Sequence, residues 1–290
     1  MSIEIRNLTF IYNQGAPFAK KALDNVSLHI ADGEFMGIIG HTGSGKSTLI
    51  QHMNALLKPS SGTVLLDGVD IHSDKSLLKS VRRRVGLVFQ YPEHQLFEMT
   101  TRDDVAFGPK NLGLSREDAR ARAEKAMQTV GLPADAWEKS PFELSGGQKR
   151  RAAIAGVLAM EPEVLILDEP TAGLDPRGRD EILGQIKRMH GQLGISVVLV
   201  SHSMEDVARL ASRTVVMYEG RIAFSGTPAE VFERSEELEA IGLAAPRITN
   251  LMKTLGKRGF DVPEGIFTVE GAGRYILDYL KTMQQKEAEN

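Results

Sequence analysis

The stretch Gly40-His-Thr-Gly-Ser-Gly-Lys-Ser-Thr48 decides the fold, because it fits the phosphate-loop pattern GxxxxGK[ST]. An apolar, strand-like run at residues 34–39 precedes it and a helical pattern follows it, which is the context that the pattern requires. Glycines let the backbone turn tightly enough to point several N–H groups at phosphate oxygens, and the helix adds the positive end of its dipole. A glycine-rich turn with an exposed lysine is the alternative, but the context favours a nucleotide-phosphate site.

The ligands that this loop predicts are ATP and Mg2+. In the pattern, the lysine, here Lys46, reaches the β and γ phosphates, and the next hydroxyl, that of Ser47, binds Mg2+. Backbone amides of the loop surround the phosphates. The predicted nucleotide contacts are Gly40, His41, Thr42, Gly43, Ser44, Gly45, Lys46, Ser47 and Thr48.

A second motif, Val164-Leu-Ile-Leu-Asp-Glu-Pro170, is an apolar strand that ends in two carboxylates. Acids at the end of a buried strand are costly unless they face a cation at the sheet edge. In a phosphate-loop protein the first acid, Asp168, helps to hold Mg2+. The second, Glu169, is predicted to accept a proton from the water that attacks the γ-phosphate. Two solvated acids in a turn are the alternative, which the phosphate loop in the same chain disfavours.

Short β-branched and aliphatic runs alternate with helical patterns, which indicates an α/β protein with a buried, largely parallel sheet. The predicted strands of this sheet are residues 34–39, 84–89, 164–167, 195–200 and 214–218. Three earlier runs predict a smaller, more antiparallel N-terminal sheet, at residues 3–12, 23–30 and 63–66.

Helical periodicity replaces the strands at about residues 91–160, which predicts an inserted helical subdomain. Within it, Ser115 is a good N-cap for a helix over 116–130, and Gly131 a good terminator. Three amphipathic segments follow residue 228, at 228–240, 246–257 and 273–284. The sequence thus predicts a nucleotide-binding domain over 1–228 and a small C-terminal domain over 229–290.

Composition limits the partners and the location. The 290 residues carry a formal net charge of -3, so no global attraction to nucleic acid is expected. The absence of cysteine excludes disulfides and cysteine-based zinc sites. The longest apolar runs are far shorter than the roughly 20 residues of a membrane-spanning helix, and no secretory signal pattern opens the sequence. We expect no direct membrane insertion, and any membrane association through a partner.

A third motif, Leu144-Ser-Gly-Gly-Gln148, stands between the other two, just before an amphipathic helix predicted to begin near Lys149. By itself, Ser-Gly-Gly is also an ordinary helix start. LSGGQ is the signature of ATP-binding cassette (ABC) ATPases, and the three motifs occur in that family's order. Over roughly residues 3–228 the chain therefore resembles an ABC ATPase. Lys46 and Ser145 are 99 positions apart, compatible with a transporter-type helical insertion.

The resemblance implies a head-to-tail dimer in which each signature covers the γ-phosphate bound by the other subunit. The partner would be a second ABC ATPase, either a homologue or a second copy. Amides at a helix N-terminus suit that anion site, and hydrolysis would loosen the pair. The implied contacts are Ser145, Gly146, Gly147 and Gln148.

The same resemblance assigns four further residues. Gln90 matches the glutamine that senses the γ-phosphate or Mg2+, and His202 matches the switch histidine that orients the attack. Asp175 matches the D-loop aspartate that connects the two nucleotide sites, and Tyr12 matches the aromatic that stacks on adenine. Without the family, Gln90 is a strand-end polar residue, and His202 and Tyr12 are structural. The resulting predicted sets are Glu169, His202, Gln90 and Lys46 for catalysis and Ser47, Gln90 and Asp168 for the metal.

More narrowly, three segments resemble the A component of energy-coupling factor (ECF) importers: residues 89–98, 103–113 and 246–251. This resemblance implies a P-loop NTPase (RecA-like) core with an N-terminal antiparallel β subdomain, an inserted helical signature subdomain and a small C-terminal α/β extension that dimerises. It also implies docking at the cytoplasmic face of the cell membrane on a transmembrane T component, which carries an S component that binds a vitamin or a metal ion. Residues 91–97 would help to form the groove for the T component.

Other classes fit less well. A conventional ABC transporter subunit remains the alternative within transport. DNA-repair and chromosome-organising ATPases place a very long coiled coil between phosphate loop and signature, which this chain lacks. Translation-type ABC factors usually carry two cassettes, whereas this chain carries one.

Overall fold

The computed structural model describes residues 1–263 and 265–288; residues 264, 289 and 290 lie outside the description. The described strands are β1 (Ile3–Tyr12), β2 (Lys20–Ile30), β3 (Phe35–Ile39), β4 (Ser61–Leu66), β5 (Val69–Asp70), β6 (Val85–Val88), β7 (Val164–Asp168), β8 (Ser196–Val200), β9 (Arg213–Tyr218) and β10 (Arg221–Gly226). The described α-helices are α1 (Lys46–Met53), α2 (Leu77–Arg84), α3 (Thr101–Val105), α4 (Phe107–Asn111), α5 (Arg116–Thr129), α6 (Gly146–Leu158), α7 (Pro176–Leu193), α8 (Met204–Leu210), α9 (Pro228–Glu233), α10 (Ser235–Ala240), α11 (Arg247–Lys257) and α12 (Val269–Ala288).

The central sheet has the strand order β10-β9-β3-β8-β7-β6. Its neighbours from β9 to β6 pair in parallel, and β10 pairs antiparallel at one edge. Strands β3, β6, β7 and β8 are buried along their whole length, which explains their unbroken apolar runs. The predicted parallel sheet is confirmed. In such a sheet, ligands bind beyond the carboxyl ends of the strands.

Two hydrophobic layers lie on the two faces of this sheet. Neighbouring residues of one strand point to opposite faces, so Ile39 packs in the layer formed with the helical region, and Ile38 in the layer formed with the other sheet. That other sheet has the order β2-β1-β4-β5 and is antiparallel, as predicted. Every predicted strand overlaps an observed one; the sequence analysis did not find the short β5 or the edge strand β10.

The chain between β6 and β7 is helical. Helix α5 begins as predicted, since the Ser115 side chain accepts from the Asp118 amide, and it ends before Gly131, whose φ is +64°. The signature helix was predicted to begin near Lys149, and this start is wrong: α6 begins at Gly146. The reason is a capping box, in which Ser145 accepts from the Gln148 amide and the Gln148 side chain accepts from the Ser145 amide.

The C-terminal segment departs from the prediction. Residues 227–263 and 265–288 contain helices α9 to α12 and no strand, so the α/β character expected for this extension is wrong for the described residues. Between α11 and α12, Gly259 and Gly265 take positive φ and Pro263 lacks an amide donor, which opposes a sheet ladder. Helix α12 begins at Val269, four residues before the predicted segment. Over the described residues, no helix combines the length and the apolar character needed to cross a membrane.

Candidate functional site

The phosphate loop joins β3 to α1 at the carboxyl edge of the central sheet. Its conformation needs glycine at Gly45, where φ is +103° and an added Cβ would lie 2.7 Å from the Ala22 carbonyl oxygen. Helix α1 begins at Lys46 with no side-chain cap and no acidic residue in its first turn. Its free amides and positive end therefore face the space in front of the loop.

Lys46 folds back across the loop. Its Nζ donates to the carbonyl oxygens of Gly40, at 2.7 Å, and His41, at 3.0 Å. Burial lowers the pKa of Lys46, while the charges of Glu169 and Asp168 act in the opposite direction. The ammonium group is thus held at the loop, close to two carboxylates.

Asp168 lies at the end of β7 and faces the loop. It is buried, and its Oδ2 accepts a hydrogen bond of 2.9 Å from the Ser47 hydroxyl. Burial raises the pKa of Asp168, and the Ser47 hydrogen bond and the Lys46 charge partly oppose this rise. Gln90, just past β6, lines the same cavity. A hydroxyl, a carboxylate and an amide form an oxygen-donor set of the kind that Mg2+ accepts, so these residues fit that ion.

Glu169 and His202 form a pair at the same edge. The carboxylate Oε2 of Glu169 lies 2.7 Å from His202 Nδ1. Glu169 takes φ +50°, a conformation that costs free energy in a residue with a side chain, and its amide donates to the Val200 carbonyl at 2.9 Å. Burial raises the pKa of Glu169, while His202 lowers it. The His202 side chain is 74% exposed, so one member of the pair reaches solvent.

These groups surround one cavity of about 800 Å³. Tyr12 stands at its β-sheet side, where its hydroxyl lies 3.2 Å from Thr48 Oγ1 and its ring meets Phe10 edge to face. Ser44 is fully buried and does not line the cavity. The predicted residues that do line it are Tyr12, Gly40, His41, Thr42, Gly43, Gly45, Lys46, Ser47, Thr48, Gln90, Asp168, Glu169 and His202.

The signature residues lie elsewhere. Ser145 and Gly146 are exposed at the start of α6, and none of the residues 145–148 lines the cavity. Asp175 also stays outside the cavity, where its Oδ1 caps α7 by accepting from the Gly178 amide at 2.7 Å. One copy of the chain therefore does not bring the signature to its own phosphate loop.

Sequence reasoning missed a buried arginine. Arg150 in α6 is 1% exposed and is held by Glu93 in a bidentate ion pair whose shorter N–O distance is 2.6 Å. It also donates to the carbonyls of Pro170, at 2.9 Å, and Ala172, at 2.7 Å. The signature helix is thus tied both to the segment after Gln90 and to the loop after Glu169. Arg150 lies two residues after the signature, but this position does not indicate that its side chain is buried.

Sequence reasoning also missed part of the cavity wall. Lys20 lines it and pairs with Tyr12 in the strand register, a relation that a predicted hairpin could have suggested. Ala22 of the same strand also lines the cavity. The other missed lining residues lie more than 150 positions from the loop and in none of the nucleotide motifs, although Arg247 falls in the segment 246–251 of the ECF resemblance. They are Met204, Glu205, Gly242, Leu243, Ala244, Ala245 and Arg247.

Comparisons with known proteins agree with the class that this fold and cavity define, an ATPase of the ATP-binding cassette type. The ABC transporter family model matches residues 23–172. The Energy-coupling factor transporter ATP-binding protein EcfA2 of Clostridium tetani is 59% identical over 278 residues, which cover 96% of this chain and 96% of that protein. This chain belongs to the ABC transporter family and, within it, to the ATP-hydrolysing subunits of energy-coupling factor transporters.

Two solved structures support the same assignment. CbiO1 of Clostridium perfringens, described as part of the ABC transporter complex cbiONQ, has a TM-score of 0.74 at 40% identity and covers 87% of this chain and 98% of its own. The ATP-binding cassette MJ0796, described as a dimer in a post-hydrolysis state bound to ADP and Pi, has a TM-score of 0.70 at 32% identity, with 78% and 98% covered. Apart from the α/β character of the C-terminal extension, the P-loop NTPase fold and the ECF resemblance predicted from the sequence are confirmed.

Proposed function

We propose that this chain binds ATP with Mg2+ in the 800 Å³ cavity and hydrolyses it as one half of a two-subunit sandwich that energises an importer. The observation that carries the proposal is the division of the site. The loop, the carboxylates and His202 share one cavity, whereas the signature residues 145–148 lie outside it, with Ser145 and Gly146 exposed.

The cavity supports a direct displacement by water. The oxygen of the water attacks the γ-phosphorus while Glu169 accepts a proton from that water. The bond between the γ-phosphorus and the oxygen that bridges to the β-phosphate breaks, so that ADP leaves. Its hydrogen bond to His202 orients the carboxylate. Lys46 and the loop amides bind the phosphates. Ser47 and Asp168, with Gln90 close by, would hold Mg2+, which neutralises phosphate charge when bound.

A second ATPase subunit, a homologue or another copy, completes the sandwich. Ser145 and the Gly146 and Gly147 amides form the second anion site at the start of α6. Asp175 stands at the start of α7, in the segment assigned to communication between the two sites. The relative MJ0796 is itself described as a dimer. Tyr12 is assigned to the adenine ring.

A second surface fits the transmembrane partner. A groove of about 750 Å³ includes Phe97 and Phe107, whose rings meet edge to face at 4.9 Å and are 58% and 39% exposed. Arg82 and Arg83 lie on its rim. We assign it to a cytoplasmic helix of the T component. The segment that begins at Gln90, in the ATP cavity, ends in this groove, so nucleotide binding and docking share one segment.

The remaining assignments extend this proposal. Residues 1–228 form the nucleotide-binding domain, with the helical subdomain at about 91–160, and 229–290 form a dimerisation domain. Leu251, Leu277 and Leu280 are about half exposed on α11 and α12, which supports a protein contact there. The subunit works at the cytoplasmic face of the cell membrane without entering it. Cargo, a vitamin or metal ion, is selected by the S component, and no nucleic acid is bound.

A tagged pull-down from detergent-solubilised membranes tests the assembly. We expect a second ABC ATPase, one T-like membrane protein and one or more small S-like proteins, identified by mass spectrometry. The double substitution Phe97→Ser and Phe107→Ser should remove the membrane proteins and keep the second ATPase, whereas Phe142→Ser, which alters an exposed phenylalanine outside the groove, serves as the control. Recovery of a conventional permease pair would contradict the ECF assembly.

A further inference from the structure

Part of the nucleotide cavity is built by the segment between α10 and α11. Gly242 to Ala245 and Arg247 line the cavity together with the phosphate loop. Leu243 and Ala245 are 7% and 4% exposed and pack in the core layer that contains Met204 and Val207 of α8. Gly242 and Ala244 alternate with them and are exposed. The cavity wall formed by Gly242 to Ala245 and Arg247 is therefore anchored to α8, the helix that follows His202. Its exposed residues before Arg247 are a glycine and an alanine, which have little or no side chain.

Arg247 is the basic group of this wall. It is exposed, and its backbone amide donates to Glu205 Oε1 at 3.4 Å. Among the described residues, its guanidinium makes neither an ion pair nor a hydrogen bond. It is the first residue of α11, which has no acidic residue of its own in its first turn; Glu205 of α8 is the acid next to this helix end.

The position of Arg247 relates it to one end of the nucleotide. Its neighbour Glu205 belongs to the short helix that begins two residues after His202, and His202 is paired with Glu169. Tyr12 and Lys20 come from the antiparallel sheet and mark the other side of the cavity. Arg247 therefore lies toward the end where the terminal phosphate reacts.

Charge balance gives this arginine a reason to bind phosphate. The charged residues that line the cavity are three bases, Lys20, Lys46 and Arg247, and three acids, Asp168, Glu169 and Glu205. Their formal charges cancel, so the protein walls have no excess cation for a polyphosphate, and each unpaired base counts. A guanidinium binds phosphate oxygens in a bidentate way, and its charge-assisted hydrogen bonds are the strong ones.

We propose that Arg247 binds the terminal phosphate of the ATP held by the phosphate loop of the same chain, so that the C-terminal extension distinguishes ATP from ADP. The inference rests on the proposed ATP site. The loss of the γ-phosphate on hydrolysis then releases the N-terminus of α11 from the nucleotide. A signal from the reacting phosphate thereby reaches the C-terminal extension directly.

Nucleotide binding to the full chain tests this proposal. The dissociation constants of ADP and of the non-hydrolysable β,γ-imido analogue of ATP are measured with Mg2+ at fixed ionic strength and at a protein concentration that keeps the chain monomeric. Arg247→Ala should raise the dissociation constant of the ATP analogue about tenfold, as for the loss of one charge-assisted hydrogen bond. The dissociation constant of ADP should change less than about twofold. Arg247→Lys should keep part of the preference. Arg258→Ala, an exposed arginine just past the other end of α11, is the matched control and should leave both constants unchanged.

The outcomes separate this inference from the proposed function. If the wild-type chain binds neither nucleotide, the ATP site itself is wrong. If the wild-type chain binds both nucleotides, two results would overturn the role of Arg247: Arg247→Ala leaves the affinity for the ATP analogue unchanged, or it lowers the affinities for both nucleotides equally. A thermal melt of each variant checks folding, and Arg247→Gln, which keeps most of the side-chain length without the charge, should reproduce the loss of preference in a folded chain.

Discussion

The phosphate loop and the signature segment are both glycine-containing starts of a helix, yet their surroundings differ. The loop faces a cavity in which Lys46, the Ser47–Asp168 hydrogen bond and the Glu169–His202 pair are already assembled. Ser145 and Gly146 of the signature are exposed, and the capping box there satisfies the amides of Ser145 and Gln148. Similar local chemistry therefore gives two different environments: the first helix start faces a cavity built by distant parts of the same chain, whereas the second lies outside that cavity.

The largest expected effect is on ATP turnover at the phosphate-loop cavity. Glu169→Gln removes the proton acceptor and should lower turnover by about 10²- to 10⁴-fold while ATP binding is kept. Phosphate release and nucleotide affinity are the measurements. Glu219→Gln is a matched control, since Glu219 also takes a positive φ, of 46°, but does not line the cavity. Wild-type turnover in Glu169→Gln would remove Glu169 from the role of base.

The second largest effect is expected at the signature segment. Ser145→Arg places a bulky cation at the start of α6 and should lower hydrolysis by the dimer about 100-fold, comparable to removing one donor from a developing charge. Nucleotide binding by the monomer should change less than about twofold, because the signature lies outside its cavity. The control is Ser140→Arg, at a similar capping box five positions earlier. Normal hydrolysis by a dimer that carries Ser145→Arg in both subunits would contradict the proposed sandwich dimer.

The third prediction concerns the link between the two regions. Arg150→Ala leaves Glu93 and two carbonyls without their partner and should lower the free energy of unfolding by about 3 kcal/mol, as for a broken buried ion pair. Urea denaturation measures the change. The neighbouring Arg151 pairs with the partly exposed Glu181, so Arg151→Ala should cost less than about 1 kcal/mol. Equal effects of the two substitutions would mean that the network at Arg150 does not anchor the helix.

The smallest effect is on the pH dependence of the assembled site. Burial raises the pKa of Glu169 above its ordinary value of 4.5. A base acts only when it is unprotonated, so turnover should fall as pH is lowered through this raised pKa, by about tenfold per pH unit below it. Steady-state rates at saturating MgATP between pH 4.5 and 9, paired with nucleotide binding at each pH, give the profile. A rate that stays constant down to pH 4.5 would argue against a raised pKa in the base.

The antiparallel and parallel sheets, the phosphate loop and the strand ending at Asp168 could be predicted from the sequence. Each depends on consecutive residues, so that a strand of period two or an unbroken apolar run is visible locally. The placement of Gln90, Asp168, Glu169 and His202 at one cavity was also predictable, since each follows or ends a strand of the same parallel sheet. Their assigned roles stay predictions that the variants above test.

Other features were decided by the tertiary structure alone. The early start of α6 comes from a local cap at Ser145. The burial of Arg150, in contrast, depends on Glu93 and on the loop after Glu169, which only the packing of α6 brings together. The wall at Arg247 reaches the cavity because Leu243 and Ala245 are buried against α8. The sequence by itself determined the chemistry of each motif, since that chemistry resides in neighbouring residues. The tertiary structure decided which distant residues share a cavity, because burial and long-range contacts leave no fixed spacing in the chain.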